Sequence, residues 1–254
     1  MRDAELLQGA LAKASEVALR HYSATVEKKH KQDGSLITAG DMAVNDALHE
    51  MLTAARPDYG WLSEEGPADP SRTQRQRCWI LDPIDGTRSF AELRHEWCIG
   101  LSLIENGTPV LSGMTQPTRN LTFLAERGKG TTCNGRRLQV DDGADLAGAR
   151  LASPAHSRKR LERSGVVAVN VSYTPSITRL AMLAAGEIDV VVSLGAKNDW
   201  DIASGALLVS EAGGVISDEH GRDMIFGRID AKQNGLVAAG TARHHAVMQY
   251  LERP

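Results

Sequence analysis

The stretch Cys78-Trp79-Ile80-Leu81-Asp82-Pro83-Ile84-Asp85-Gly86-Thr87-Arg88-Ser89-Phe90 decides how this chain is read. It opens on an apolar run that predicts a buried strand. Two carboxylates then stand three residues apart around a proline, and the stretch closes on Gly86-Thr87. Pro83 has no N–H for a sheet ladder and its φ is fixed, so the strand is expected to stop at Asp82. Asp82 and Asp85 would then fall on a tight turn at the strand end, where side chains and the carbonyl of Ile84 can converge. Hard cations such as Mg²⁺ favour such oxygen clusters. A helix starting after Gly86 would aim its first N–H groups at the same spot and favour an anion there. Cation ligands beside an anion cradle make a phosphate site.

Composition narrows the rest. At 254 residues and 42% hydrophobic, the chain can bury a substantial core as one large domain or two smaller ones. Lys+Arg 29 against Asp+Glu 32 gives a net charge of −3, so no nucleic-acid partner is expected. The short basic run Arg158, Lys159, Arg160 and Arg163 reads as a solvated helix face. No apolar run is long enough for a membrane span. The first helix carries Asp3, Glu5 and Glu16, unlike a signal or transit peptide. The expectation is a cytoplasmic protein with no membrane partner. Cys78, Cys98 and Cys133 are odd in number, lack metal-ligand spacing and have no partnered base nearby, so they read as reduced thiols.

Upstream of the central stretch, Leu6, Leu7, Ala10, Leu11, Ala14, Val17 and Ala18 repeat at helical spacing within residues 3–21. Asp33-Gly34-Ser35 predicts a turn, and Thr38 or Asp41 caps a second helix carrying Val44, Leu48 and Leu52. Pro57-Asp58-Tyr59-Gly60 ends it. Trp61–Gly66 reads as a short strand running into a loop, with Glu64-Glu65 at its end. Downstream, Trp97–Ile104, Asn106-Gly107, Val110–Met114 and Leu121–Ala125 predict an antiparallel meander. From about Gly143, short strands (Arg150–Ala152, Val166–Asn170, Val190–Ser193, Leu236–Ala239) alternate with helical stretches at 156–163, 175–185 and 201–212, an α/β pattern. A soft boundary falls at 140–150. It divides an α+β half, residues 1–145, from an α/β half, residues 146–254. In Asp199-Trp200-Asp201-Ile202-Ala203-Ser204-Gly205, Asp199 or Asp201 is expected to start a helix, and the small residues after it imply close packing.

Three segments in this order, Ser63-Glu64-Glu65, Asp82-Pro83-Ile84-Asp85-Gly86-Thr87 and Trp200-Asp201-Ile202-Ala203, resemble the signature of the inositol monophosphatase superfamily of Mg²⁺-dependent, lithium-sensitive phosphatases. The resemblance spans residues 31 to about 216. It implies a layered αβαβα sugar-phosphatase fold, a homodimer and two or three Mg²⁺ per subunit. It further implies that Glu64, Asp82 and the Ile84 carbonyl hold one ion, and that Asp82, Asp85 and Asp201 hold a second. Glu64, with Glu65 and waters, would hold a weaker third. Gly86 and Thr87 would offer backbone N–H groups to the substrate phosphate. Thr87, hydrogen-bonded to Asp41, and Glu64 would orient and deprotonate the attacking water. The physics agrees: paired cations lower the pKa of a bound water and steady the leaving oxygen, and clustered carboxylates need cations to stay ionised together.

The resemblance leaves the substrate open between an inositol monophosphate and 3'-phosphoadenosine 5'-phosphate. Where inositol-specific members usually place an acidic side chain, Ser193 or Leu194 stands here. Thr174-Pro175-Ser176-Ile177-Thr178-Arg179 resembles the segment that reaches over substrate in the family's nucleotidases. Ser176 and Arg179 are therefore candidate substrate contacts, with Arg179 able to fork a second phosphate. Rival readings fare worse. A haloacid-dehalogenase phosphatase uses D-x-D, whereas the spacing here is Asp-x-x-Asp, and no G-x-x-x-x-G-K-[ST] occurs. The non-enzymatic alternative is an extragenic-suppressor-type scaffold that binds RNA polymerase or ribosome assembly factors.

Overall fold

The computed structural model describes residues 1–32, 34–67, 69–163, 169–170 and 175–251. The first helix, α1 (Asp3–His21), buries the apolar stripe that its spacing predicts. A short antiparallel hairpin follows, β1 (Lys28–His30) with β2 (Leu36–Thr38). Thr38 then caps α2 (Ala39–Ala55), its Oγ1 accepting from the N–H groups of Gly40 and Asp41, while Asp41 Oδ2 accepts from the Thr38 N–H at 2.9 Å. The two candidate caps are thus the two halves of one capping box.

The central strand is β4 (Arg77–Asp85). It lies parallel to β3 (Gly60–Ser63) and antiparallel to β5 (Cys98–Glu105). The sheet continues antiparallel through β6 (Thr108–Gln116) and β7 (Leu121–Glu126), the expected meander, which β8 (Gly130–Cys133) and β9 (Arg136–Arg137) extend by two short strands not expected from the sequence. Contrary to expectation, β4 does not stop at Asp82. Its register against β5 slips between Asp82↔Gly100 and Asp85↔Cys98, and β3 has ended opposite Leu81. Pro83 therefore sits in a bulge where the ladder is already broken, and its missing N–H costs no bond. After β4 comes the short helix α3 (Thr87–Ala91).

A second, five-stranded sheet has the order β11-β10-β12-β14-β13. Its strands are β10 (Arg150–Ala152), β11 (Val169–Asn170), β12 (Val190–Asn198), β13 (Val215–Ser217) and β14 (Lys232–Ala239). The pairs of β10 with β11 and with β12 are parallel, whereas β14 runs antiparallel to β12 and β13. The remainder of the expected strand Val166–Asn170, and Thr174, lie outside the described residues. The helices of this half are α4 (Ala155–Arg163), α5 (Ser176–Ala184), α6 (Ala203–Glu211) and α7 (Thr241–Leu251). On α4, Arg158 pairs with Glu162 and Arg160 donates to the Leu251 carbonyl.

Three apolar cores stack these elements into layers. One joins α1 and α2 to the outer face of the seven-stranded sheet through Leu7, Leu48, Trp79 and Leu101. The middle one joins Ile80, Cys98 and Met114 of that sheet to Ile177, Leu180 and Leu208 of α5 and α6, and on to Val191 and Leu236 of the second sheet. The third packs Leu161 of α4 and Val247 of α7 on the far face, against Val190 and Val237. The result is an αβαβα sandwich. Its middle layer, α5 and α6, comes from the C-terminal half and is covered on its two faces by the sheets of both halves.

Close packing of the middle layer explains the small residues at the start of α6. A Cβ on Gly205 would stand 2.5 Å from Leu180 Cβ, on a neighbouring helix that cannot yield like a side-chain tip. Gly205→Ala is therefore expected to lower stability by about 1–3 kcal/mol despite alanine's better helix propensity. Urea unfolding checks this, and an unchanged midpoint would contradict it.

Candidate active site

The β4 bulge, the Gly86 turn and α2 bring the first group of candidates together. Gly86 holds φ +101°, and a Cβ there would meet the Glu96 carbonyl and Pro175 Cγ at 2.8 Å, so no other residue fits. The turn sets Thr87 so that its Oγ1 lies 3.1 Å from both Asp41 Oδ1 and the Ile84 carbonyl oxygen. Asp41 thus serves the α2 cap with one oxygen and Thr87 with the other.

The second group arrives from the other half of the chain. Asp85 Oδ2 accepts from the Ile177 N–H at 2.7 Å, so this carboxylate satisfies a first-turn N–H of α5 across 92 residues of sequence. Arg179, two residues further along α5, is half-buried, and its charge favours ionisation of Asp85. Its Nε is buried without a hydrogen-bond partner. Burial pulls the guanidinium below its ordinary value, and Asp85 opposes this. Ser176, beside the Asp85–Ile177 contact, is half-buried.

Asp201 enters by a different geometry from the expected one. Neither Asp199 nor Asp201 starts α6, which begins at Ala203 with Ile202 as a side-chain-free cap. The reason is that both carboxylates are engaged elsewhere. Asp199 accepts from the Gly227 N–H at 2.6 Å and from Gln233 Nε2 at 2.7 Å, while Asp201 Oδ2 turns back to the Asn198 N–H at 3.1 Å. The resulting turn points Asp201 at the β4 carboxylates.

Electrostatics shows how unusual the cluster is. Asp82 is 1% exposed, and its Oδ1 is buried with no hydrogen-bond partner. Burial, followed by the charges of Glu64, Asp85, Asp201 and Asp41, pushes its carboxyl well above the ordinary range. Burial also raises Asp85 to about 7, against the Ile177 hydrogen bond and with Asp201 and Glu64 adding repulsion. Asp41 and Asp201 rise to about 6, again mainly through burial. This is a set of buried like charges with too little countercharge.

Lys31 supplies part of that countercharge, and sequence reasoning assigned it no role. Its Nζ lies 2.8 Å from Glu64 Oε1 and 2.6 Å from Glu65 Oε1. Glu65 nevertheless rises to about 7, because burial outweighs Lys31. Among the described residues, no three Asp, Glu, His or Cys side chains stand at metal-ligating spacing. The donor chemistry still suits a hard dication: the acidic side chains of the cluster offer only oxygen donors, and Asp82 keeps one oxygen unused in a dry setting. Thiol chemistry fits poorly, since burial pushes Cys78 up to about 12 and Cys98 well above its ordinary value.

Comparison with known proteins bears on the family and the fold. The chain is 32% identical to an inositol-1-monophosphatase of Caulobacter vibrioides, over 95% of this chain and 98% of the relative. It is 30% identical to the Nus factor SuhB of Xylella fastidiosa, over 94% and 90% respectively. A 3'(2'),5'-bisphosphate nucleotidase, CysQ of Escherichia coli, shares 29% identity over 77% of this chain and 81% of its own. In fold, the structure of the extragenic suppressor protein suhB from Bartonella henselae superposes with a TM-score of 0.87 at 24% identity, covering 98% of each chain. The model of the inositol monophosphatase family matches residues 3–253, nearly end to end, and the chain belongs to that family.

Proposed function

We propose that the protein is a Mg²⁺-dependent phosphomonoesterase that hydrolyses a small phosphate ester, an inositol monophosphate or 3'-phosphoadenosine 5'-phosphate. One observation carries this reading: Asp82 is fully buried among like charges with an unused oxygen. Such a group is unfavourable unless a cation joins it. Glu64, Asp82, Asp85, Asp201 and the Ile84 carbonyl would hold two or three Mg²⁺. When bound, the ions would supply Lewis-acid charge for water activation and leaving-group stabilisation.

The chain's own groups do the rest. With its proton directed to Asp41 or the Ile84 carbonyl, Thr87 Oγ1 keeps a lone pair that can accept from a water and fix its orientation. The Glu64 carboxylate, which Lys31 now holds, would take that water's proton once released. Gly86 and Thr87, at the start of α3, offer backbone N–H groups to the phosphate. Ser176 and Arg179, fixed through α5 to Asp85, would meet the rest of the substrate. A homodimer and inhibition by lithium follow from the family likeness.

Arg179 distinguishes the substrates. Arg179→Met is expected to raise KM for 3'-phosphoadenosine 5'-phosphate by about 10–100-fold, the worth of a charged hydrogen bond, with little change in kcat. Turnover of inositol 1-phosphate should stay near wild type. Equal losses on both esters would remove Arg179 from recognition of a second phosphate. Steady-state kinetics on the wild type completes the assignment. A hundredfold lead in kcat/KM for one ester, about 2.7 kcal/mol of transition-state discrimination, identifies the preferred substrate.

A further inference from the structure

At the opposite end of β4 from Asp82, a cleft of about 420 Å³ opens between residues 72–78 and the 225–229 loop. Cys78 at its floor lies four residues from Asp82, about 13 Å along the strand. Three arginines line the cleft, Arg72, Arg75 and Arg228, and no Asp or Glu is among its lining residues.

Arg72 is 3% exposed, and its hydrogen bonds all go to neutral carbonyls. Nη1 donates to the Asp69 carbonyl at 2.8 Å, and Nη2 to the carbonyls of Arg228 at 2.8 Å and Ile229 at 3.1 Å. Its buried Nε has no hydrogen-bond partner. A guanidinium buried without a direct ion pair has its field only partly cancelled, here by the nearby Asp69 carboxylate. Arg75 is exposed and makes no direct ion pair among the described residues, although its charge reaches the Asp69 carboxylate. Arg228 meets Asp230 only at 3.6 Å and spends one Nη on the Lys232 carbonyl. The cleft is also preformed. Asp199 grips Gly227, and Gln233 Nε2 holds the Ile225 carbonyl at 2.8 Å, so the loop needs little ordering to receive a ligand. Ile225 and Ile229, 54% and 64% exposed, give this loop apolar surface beside the charges.

We propose that this cleft is a second anion-binding site, separate from the phosphate centre, for a small polyanion carrying two or more phosphate or carboxylate groups on a compact body. Arg75 and Arg228 would contact the anion from opposite walls, while Arg72 holds the walls together and supplies positive potential from below. The volume suits a metabolite-sized ligand, since such pockets span roughly 300–1,000 Å³.

The test is titration calorimetry on the full chain, stripped of metal on a chelating resin, at low ionic strength. Pyrophosphate and citrate are titrated separately, to tell a phosphate preference from a carboxylate one. One saturable site is expected for at least one probe, weakened about tenfold by Arg75→Gln and again by Arg228→Gln. Both positions are exposed, and thermal melting verifies that the variants fold. Thr87→Ala, in the phosphate centre, should leave the binding unchanged. No saturable binding of either probe would overturn the proposal. So would undiminished binding to the double variant, or loss of binding in Thr87→Ala. The measurement needs no turnover, so it stands or fails apart from the phosphatase reading.

Discussion

Asp82→Asn is expected to abolish phosphate release and, at the same time, to raise the melting temperature of the metal-free protein. The two effects share one cause. Asp82 is buried with an unpartnered oxygen, and the surrounding carboxylates disfavour its charge. Replacing it with a neutral amide of the same shape removes like-charge repulsion from the folded state. It also removes a carboxylate that would hold the metal ions. Activity should fall about a thousandfold or more, roughly 4 kcal/mol of transition-state stabilisation. The metal-free melting temperature should rise by about 2–4 °C for each kcal/mol of repulsion relieved. Glu65→Gln should cost far less activity, because Glu65 faces Lys31. Equal losses from the two substitutions would show that the ligand hierarchy is wrong, and a drop in the Asp82→Asn melting temperature would contradict the electrostatic argument. A scaffold role of the extragenic-suppressor type would survive Asp82→Asn untouched.

The second large effect is a pH dependence of the metal-free protein that runs opposite to ordinary acid denaturation. Asp41 and Asp201 rise to about 6 in the folded state and Asp85 to about 7, while unfolded aspartates ionise near about 4. A raised carboxyl binds its proton more tightly when folded. Its contribution is therefore most favourable below about pH 4 and is lost as the pH climbs through the unfolded value to the folded one. Between about pH 4 and 7 the loss from these groups is on the order of 10 kcal/mol, a melting-temperature fall of more than about 10 °C. Saturating Mg²⁺ should reverse most of it at neutral pH by binding the ionised cluster in the native state alone. Thermal melts across this range, with and without Mg²⁺, give the answer. A metal-free protein that is more stable at pH 7 than at pH 5 would contradict it.

Much of the fold and of the site could be read from the residues because the signals were local. The stripe of α1, the turn at Asn106-Gly107 and the apolar run into Asp82 each state their structure within a few positions. What escaped was mostly set by contacts distant in sequence. Pro83 suggested a strand end, but the β5 register accommodates it in a bulge. The role of Asp85 at the start of α5 depends on Ile177, and the geometry of Asp201 depends on Asp199 being taken by Gly227 and Gln233. The shared middle core is also invisible to a reading in order, since Ile80 and Leu208 meet only after both sheets form. Lys31 follows a three-residue strand whose side chains are all exposed, so no periodicity marks it. Strands β1, β2, β8, β9 and β13, each two to four residues long, escaped as well.

Phosphate release from inositol 1-phosphate and 3'-phosphoadenosine 5'-phosphate, with Mg²⁺ saturating and with the metal removed, measured on wild type beside Asp201→Asn, tests the central claim most directly. Asp201 is the site carboxylate contributed by the C-terminal half, so the comparison probes both the metal and the joining of the two halves. Release by the wild type only with Mg²⁺, falling about a hundredfold or more in Asp201→Asn, is the expected result. Release that persists without metal, full activity in Asp201→Asn, or no release of either ester at saturating Mg²⁺ would contradict the proposed phosphatase.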